Sequence, residues 1–179
     1  NLTNLHAFLS DTVLLTGEGF EPPLVQPKWG ALPRPDAAAP AGPKPRVAIL
    51  FYRAQHAAGN TAYVHALADA IDAAGGIGVP VYVTSLRDAD DDLLDHLRGY
   101  DALVTTVLAA GGTTPAAASA GEDDESWDVQ KLAALDVPII QGLCLTSSRE
   151  AWASSDDGAS PLDVATQVAI PEFDGRIIG

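Results

Sequence analysis

The sequence predicts a doubly wound, flavodoxin-like α/β domain preceded by an N-terminal arm. Three observations carry this. Four short apolar runs, near 46–52, 80–84, 101–106 and 138–143, have the continuous hydrophobicity of strands buried on both faces. Segments with helical periodicity separate them, and strands alternating with helices imply right-handed βαβ crossovers and a parallel sheet. A Pro/Ala-rich stretch, ALPRPDAAAPAGPKP over residues 31–45, divides this series from what precedes it and reads as an extended linker. The division is therefore an arm and linker over 1–45 and an α/β domain over 46–179.

Within the arm, Leu9, Val13, Leu14, Leu15 and Phe20 form apolar clusters broken by Gly17, Gly19, Pro22 and Pro23. This pattern suits a short strand or helix followed by extended chain. Arg46–Tyr52 (RVAILFY) reads as the first, central strand, and Arg53–Gly59 as the loop after it. Asn60 is placed to cap a helix over Thr61–Ala74, which puts Val64, Leu67, Ala68 and Ile71 on one face. Gly75 and Gly76 end that helix. Pro80–Thr84 reads as the second strand. Asp88–Leu97 reads as a short acidic helix with Leu93, Leu94 and Leu97 as its apolar face.

Tyr100–Thr106 is the third expected strand. Residues 107–126 are rich in Ala, Gly and Ser and end in like charges, which predicts a mobile loop. Trp127–Leu135 reads as a helix and Val137–Leu143 as the fourth strand. Ser147 or Ser148 then caps a helical turn carrying Trp152, and Ser160 caps a last helix over Pro161–Ile170, with Pro161 at its favoured first position. Ile177-Ile178-Gly179 reads as the start of a further buried strand. Trp127 and Trp152 are expected to anchor the core, and Cys144 to be a small core residue rather than a reactive thiol. With Asn1 in first place, no Met anywhere and an apolar end, the sequence reads as a portion of a larger protein.

Composition excludes several classes of function. A net charge of −14, from 24 acidic and 10 basic residues, repels a phosphate backbone and argues against nucleic-acid binding. No apolar run reaches the roughly 18 residues that span a bilayer, so no membrane partner is expected. A single cysteine fits a reduced, cytoplasmic protein. No GxxxxGK[ST] loop is present, so this chain is not expected to bind or hydrolyse ATP. The glycines after the first strand do not spell a dinucleotide fingerprint. His6, His56, His65 and His96 lack the spacing of a zinc site, and Ser147 and Ser148 lack a nucleophile elbow.

What remains is positional. In open α/β sheets ligands bind beyond the carboxyl ends of the strands. Four loops qualify: Arg53–Asn60, Ser85–Asp88, Val107–Ser126 and Leu145–Arg149. The first is densest in functional groups. Arg53, Gln55, His56 and Asn60 supply a guanidinium, an amide, an imidazole and a helix start, a set of donors for an anionic or carboxamide-bearing ligand. Thr146, Ser147 and Arg149, in the last of these loops, join them as candidate substrate-binding residues. The alternative for all of these is a turn, a cap and solvated side chains.

Four segments taken together resemble the CobN/magnesium chelatase large-subunit family. They are Leu9–Pro23 (LSDTVLLTGEGFEPP), Val47–Thr61 (VAILFYRAQHAAGNT), Val137–Trp152 (VPIIQGLCLTSSREAW) and Ser160–Gly179 (SPLDVATQVAIPEFDGRIIG). The YRAQHAAGNT wording resembles the aerobic, ATP-dependent cobaltochelatase branch. That resemblance implies a subunit of a ligase-type chelatase that inserts Co²⁺, as substrate, into the corrin precursor hydrogenobyrinic acid a,c-diamide in cobalamin biosynthesis. It further implies AAA+ ATPase-type partner subunits that use ATP and Mg²⁺, and an isolated fragment without activity. The resemblance implies His, carried by many relatives, where this chain has Gln55, so no metal ligand is assigned. The alternatives are a magnesium chelatase large subunit acting on a porphyrin and a flavodoxin-like scaffold that touches no ligand.

Overall fold

The computed structural model describes residues 26–34, 42–86, 89–107, 133–145, 147–173 and 176–179. The expectations for the N-terminal apolar clusters, for most of the 107–126 loop and for Trp127 fall outside these residues.

Strands β1 (Trp29–Ala31), β2 (Arg46–Tyr52), β3 (Ile77–Val83), β4 (Ala102–Thr105), β5 (Ile139–Gln141) and β6 (Ile177–Ile178) form one six-stranded sheet in the order β1-β3-β2-β4-β5-β6. All pairs are parallel except β1 with β3, which is antiparallel. Leaving β1 aside, the order is the flavodoxin-like one, in which the first strand lies between the second and the third. β2 is thus central. Its residues alternate between two packed faces. Ala48 and Leu50 join Val81, Val83, Leu93, Leu94, Leu97 and Leu103 on one side. Ile49 and Phe51 join Val64, Ala68 and Tyr82 on the other. Double coverage is why RVAILFY is apolar at nearly every position. Each fully buried large aliphatic or Phe side chain contributes roughly 1.5–3 kcal/mol.

Several boundaries differ from the sequence reading, each for a local reason. Residues 53–57 are a short helix, α1 (Arg53–Ala57), not loop, and it starts from Tyr52 without a side-chain cap. Helix α2 (Ala62–Ala73) is capped in position by Thr61, also without a side-chain bond, so Asn60 does not cap it. Strand β3 begins three residues before Pro80. Its Gly78 is required by packing, because a Cβ there would lie 2.6 Å from Ala68 Cα and 2.8 Å from Ala68 O. Helix α3 (Asp91–Leu97) starts at an Asp90 cap that accepts from Leu93 N–H at 3.0 Å, and it buries Leu93, Leu94 and Leu97.

Helix α4 (Arg149–Ala153) is capped by Ser148, whose side chain accepts from Ala151 N–H. Pro161–Asp163, the π-helical Val164–Ala169 and Ile170–Phe173 run end to end as α5, with a reciprocal Ser160–Asp163 capping box. Trp152 is 45% exposed and anchors no core. Cys144 is half-buried. Ile177 pairs as expected in a strand but stays 55% exposed. No described helix is long and apolar enough to cross a membrane.

The arm is tied to the domain. β1 pairs Trp29, Gly30 and Ala31 with Val83, Tyr82 and Val81. Arg34 then reaches α2, bonding Asp72 at 2.8 Å, the Gly78 carbonyl at 2.9 Å and the Asp69 carboxylate. Burial alone would raise the Asp72 carboxyl. The Gly78 N–H and the bond and charge of Arg34 outweigh it and hold the group below the ordinary carboxylate range.

Candidate functional site

The strand order reverses at β2, whose crossovers lead to β3 on one side and, by way of β3, to β4 on the other. The crevice beyond the carboxyl ends of β2 and β4 is therefore the topological switch point. Helix α1 begins there because β2 ends at Tyr52 and RAQHA carries no β-branched residue to oppose a helical turn.

Arg53 is half-buried at the lip of β2 and lines two concavities. One, of about 430 Å³, is bounded by Gln26, Tyr52, Arg53, His56 and Thr84. The other, of about 480 Å³, lies toward β1 and also takes in Thr84. The Arg53 Nη1 donates to the Gln26 carbonyl at 3.4 Å, a long contact, while the side chain lines both concavities. His56 stacks on the Tyr82 ring, centroids 4.5 Å apart and planes inclined by 11°. That stacking fixes the imidazole as one wall of the smaller cavity.

Gln55 turns the other way. Its Oε1 accepts from the Tyr63 hydroxyl at 2.6 Å. Thr106 Oγ1 lies 3.2 Å from the same hydroxyl and 3.1 Å from the Leu50 carbonyl, with one proton to share between them. Burial pushes the Tyr63 phenol above its usual range, with the bonds to Thr106 and Gln55 opposing. Asn60 is exposed; its backbone N–H donates to Gln55 O at 2.9 Å, and it lines neither concavity. Ser147 and Arg149 are exposed at the start of α4 and line neither concavity. Thr146 lies outside the described residues.

The structure brings Arg53 and His56 together with groups the sequence did not single out: Gln26, Lys28, Trp29 and Thr84. Thr84 N–H and Oγ1 both donate to the Lys28 carbonyl, at 2.9 and 2.8 Å, which pins the arm against the end of β3. The loop from Ser85 was among the four candidate loops of the sequence, but an arm docked through backbone bonds leaves no side-chain pattern. Burial also raises the Cys144 thiol, keeping it protonated at neutral pH. Among the described residues no three His, Cys, Asp or Glu side chains gather in a metal-binding group. The edge thus offers cationic donors and an aromatic wall. That chemistry suits binding a carboxylate-rich ligand.

Comparison with known proteins gives this edge a context. Residues 1–179 match the family model described as CobN/Magnesium Chelatase. The chain is 34% identical over 134 residues to the aerobic cobaltochelatase subunit CobN of Sinorhizobium sp, an alignment covering 75% of this chain and 10% of that protein. It is 30% identical over 145 residues to a magnesium-chelatase subunit of Cereibacter sphaeroides, covering 78% of this chain and 12% of that protein. The solved catalytic subunit of cobaltochelatase from Mycobacterium tuberculosis is 64% identical, with a TM-score of 0.81 over 98% of this chain and 15% of that one. The chain therefore spans about a tenth of the length of the curated relatives it matches. With a family match along its whole length and a near-complete structural superposition, the chain belongs to the CobN/magnesium chelatase family.

Proposed function

We propose that the chain is a portion of the large, tetrapyrrole-binding subunit of an ATP-dependent cobaltochelatase, which inserts Co²⁺ into hydrogenobyrinic acid a,c-diamide. The observation that carries this reading is the contrast in identity. The chain shares 64% with one cobaltochelatase catalytic subunit and 33–34% with two CobN subunits, against 28–30% with magnesium-chelatase subunits. Chelation needs a flat macrocycle held in a cleft, a path for the metal and bases for the displaced pyrrole protons. The carboxyl edge of β2 supplies one wall of that cleft. Arg53 binds a peripheral carboxylate, His56 faces the ligand beside it, and Gln55 and Asn60 shape the turn that presents them. Ser147 and Arg149, exposed at the start of α4, are a second candidate contact outside both concavities, and Thr146 is assigned with them from the sequence alone. AAA+ ATPase-type partner subunits consume ATP and Mg²⁺, consistent with a chain that carries no phosphate loop.

The test is cobalt insertion by the full-length subunit with its partner ATPases, followed by the change in corrin absorbance. Cobalt enters the corrin, and magnesium does not enter a porphyrin under the same conditions. The 179-residue chain alone neither inserts cobalt nor hydrolyses ATP. Magnesium insertion into a porphyrin without cobalt activity would favour the magnesium chelatase reading, and cobalt insertion by the isolated chain would contradict the division of labour.

A further inference from the structure

Neither concavity takes in a residue of β4, so both lie on the β3 side of β2 and not at the switch point, and the larger is about 480 Å³. It lies between β1, the carboxyl end of β3 and the first turn of α3. Its volume falls within the range of small-molecule sites, roughly 300–1,000 Å³. Lys28 and Arg53 place two cations on its wall. Among the described residues neither forms an ion pair, although the chain carries 24 acidic side chains against 10 basic ones. Two cations against the one carboxylate of Asp90 give the lining a net positive charge in an otherwise acidic chain.

The remaining lining is equally particular. Trp29 and Leu93 give an apolar side. Trp29 is held in place by packing on His96, ring centroids 4.9 Å apart, and Leu93 is buried in the core. Thr84 and Asp90 offer acceptors. The Thr84 proton is already committed to the Lys28 carbonyl, and Asp90 spends one oxygen on Leu93 N–H. The cleft thus presents donors for carboxylates, acceptors for amide N–H groups, and an apolar wall between them.

We propose that this cleft is a second ligand site that takes an edge of the tetrapyrrole bearing both carboxylate and carboxamide groups, with Lys28 and Arg53 on the carboxylates and Asp90 and Thr84 on the amide. This rests on the corrin reading above. Arg53, shared by the two concavities, bridges ligand groups on either side of it. The arm is then part of the binding surface, since it supplies Lys28 and Trp29.

The test uses the full-length subunit and titrates corrin absorbance with hydrogenobyrinic acid a,c-diamide and with its carboxylate methyl esters. Lys28 is exposed and is held by its backbone carbonyl, so substitution of its side chain leaves the fold intact. Lys28→Gln weakens binding of the acid roughly threefold to tenfold, as for one charge-assisted bond at an open position. Lys28→Glu weakens it further, added salt weakens the wild type, and the esters bind weakly to all three proteins alike. Millimolar inorganic phosphate does not displace the corrin. Equal corrin affinity in wild type, Lys28→Gln and Lys28→Glu would overturn the proposal and leave the corrin reading standing. A Lys28→Gln protein that binds corrin normally but associates poorly with its partner subunits would also overturn it, assigning the cleft to an acidic protein segment. A wild-type subunit that binds no corrin would remove both readings together.

Discussion

The Tyr63 hydroxyl donates to Gln55 Oε1 at 2.6 Å, joining α1 to α2 across the switch point. This bond decides which face of α1 is available. With Gln55 held inward, Arg53 and His56 are left to face the concavities, while Thr106 on the far side of the same hydroxyl brings in the end of β4. A residue picked out as a ligand donor thus serves to orient its neighbours.

Tyr63→Phe removes the donor and leaves the Gln55 oxygen without it. The expected loss is about 0.5–1.5 kcal/mol, read as a lower midpoint in urea with an unchanged slope. A midpoint equal to wild type would show that water replaces the hydroxyl at no cost.

Arg34 is the arm's other tie, and its guanidinium is largely buried against Asp69, Asp72 and the Gly78 carbonyl. Arg34→Ala leaves Asp72 with only its bond from Gly78 N–H, at 2.8 Å, and is expected to cost about 1–3 kcal/mol. A double-mutant cycle with Asp72→Asn measures the pair directly, and full additivity would deny the coupling.

Gly78→Ala drives a methyl into the Ala68 backbone. Helix and strand must separate by several tenths of an ångström, for an expected cost of about 1–3 kcal/mol or more. A stable Gly78→Ala protein would mean that α2 slides freely on β3.

Stability should depend on pH through His96. Burial, and then the charge of Arg46, lowers its pKa below the ordinary histidine value. Arg46 sits 4.6 Å over the Tyr100 ring, and the Tyr100 hydroxyl lies 3.1 Å from His96 Nε2. The unfolded chain therefore takes up a proton first. Stability is full above the unfolded-state pKa of about 6.5 and falls as pH drops from there toward the lower folded value. Asp72, whose folded pKa is also lowered, adds a second loss in the same direction, below the ordinary carboxylate pKa. His96→Phe keeps the ring packing and removes the first loss. Urea midpoints at pH 7.5 and 5.5 that differ equally in wild type and variant would refute the assignment.

Much of the fold was legible because the central strands are covered on both sides, and burial writes itself into composition. RVAILFY could be little else, and Leu93, Leu94 and Leu97 fix the inner face of α3. The misreadings share a cause. β1 and the start of β3 are held by backbone pairing and by a close approach at Gly78, and neither leaves a hydrophobic period. The short α1 has no capping residue to announce it. The candidate site was legible as a place, through the rule that ligands sit beyond strand ends. Its membership was not, because Lys28 and Trp29 arrive from a segment that sequence alone assigns to an arm.

The most direct measurement of the central claim, that this edge binds the tetrapyrrole, is corrin titration of the full-length subunit carrying Arg53→Ala. Arg53 is the charged side chain common to both concavities. The account predicts affinity weaker by about tenfold to a hundredfold, as for the loss of a charged hydrogen bond of roughly 1.5–3 kcal/mol, with the partners' ATPase activity unchanged. Unchanged corrin affinity in that variant would contradict the account and leave the domain a scaffold.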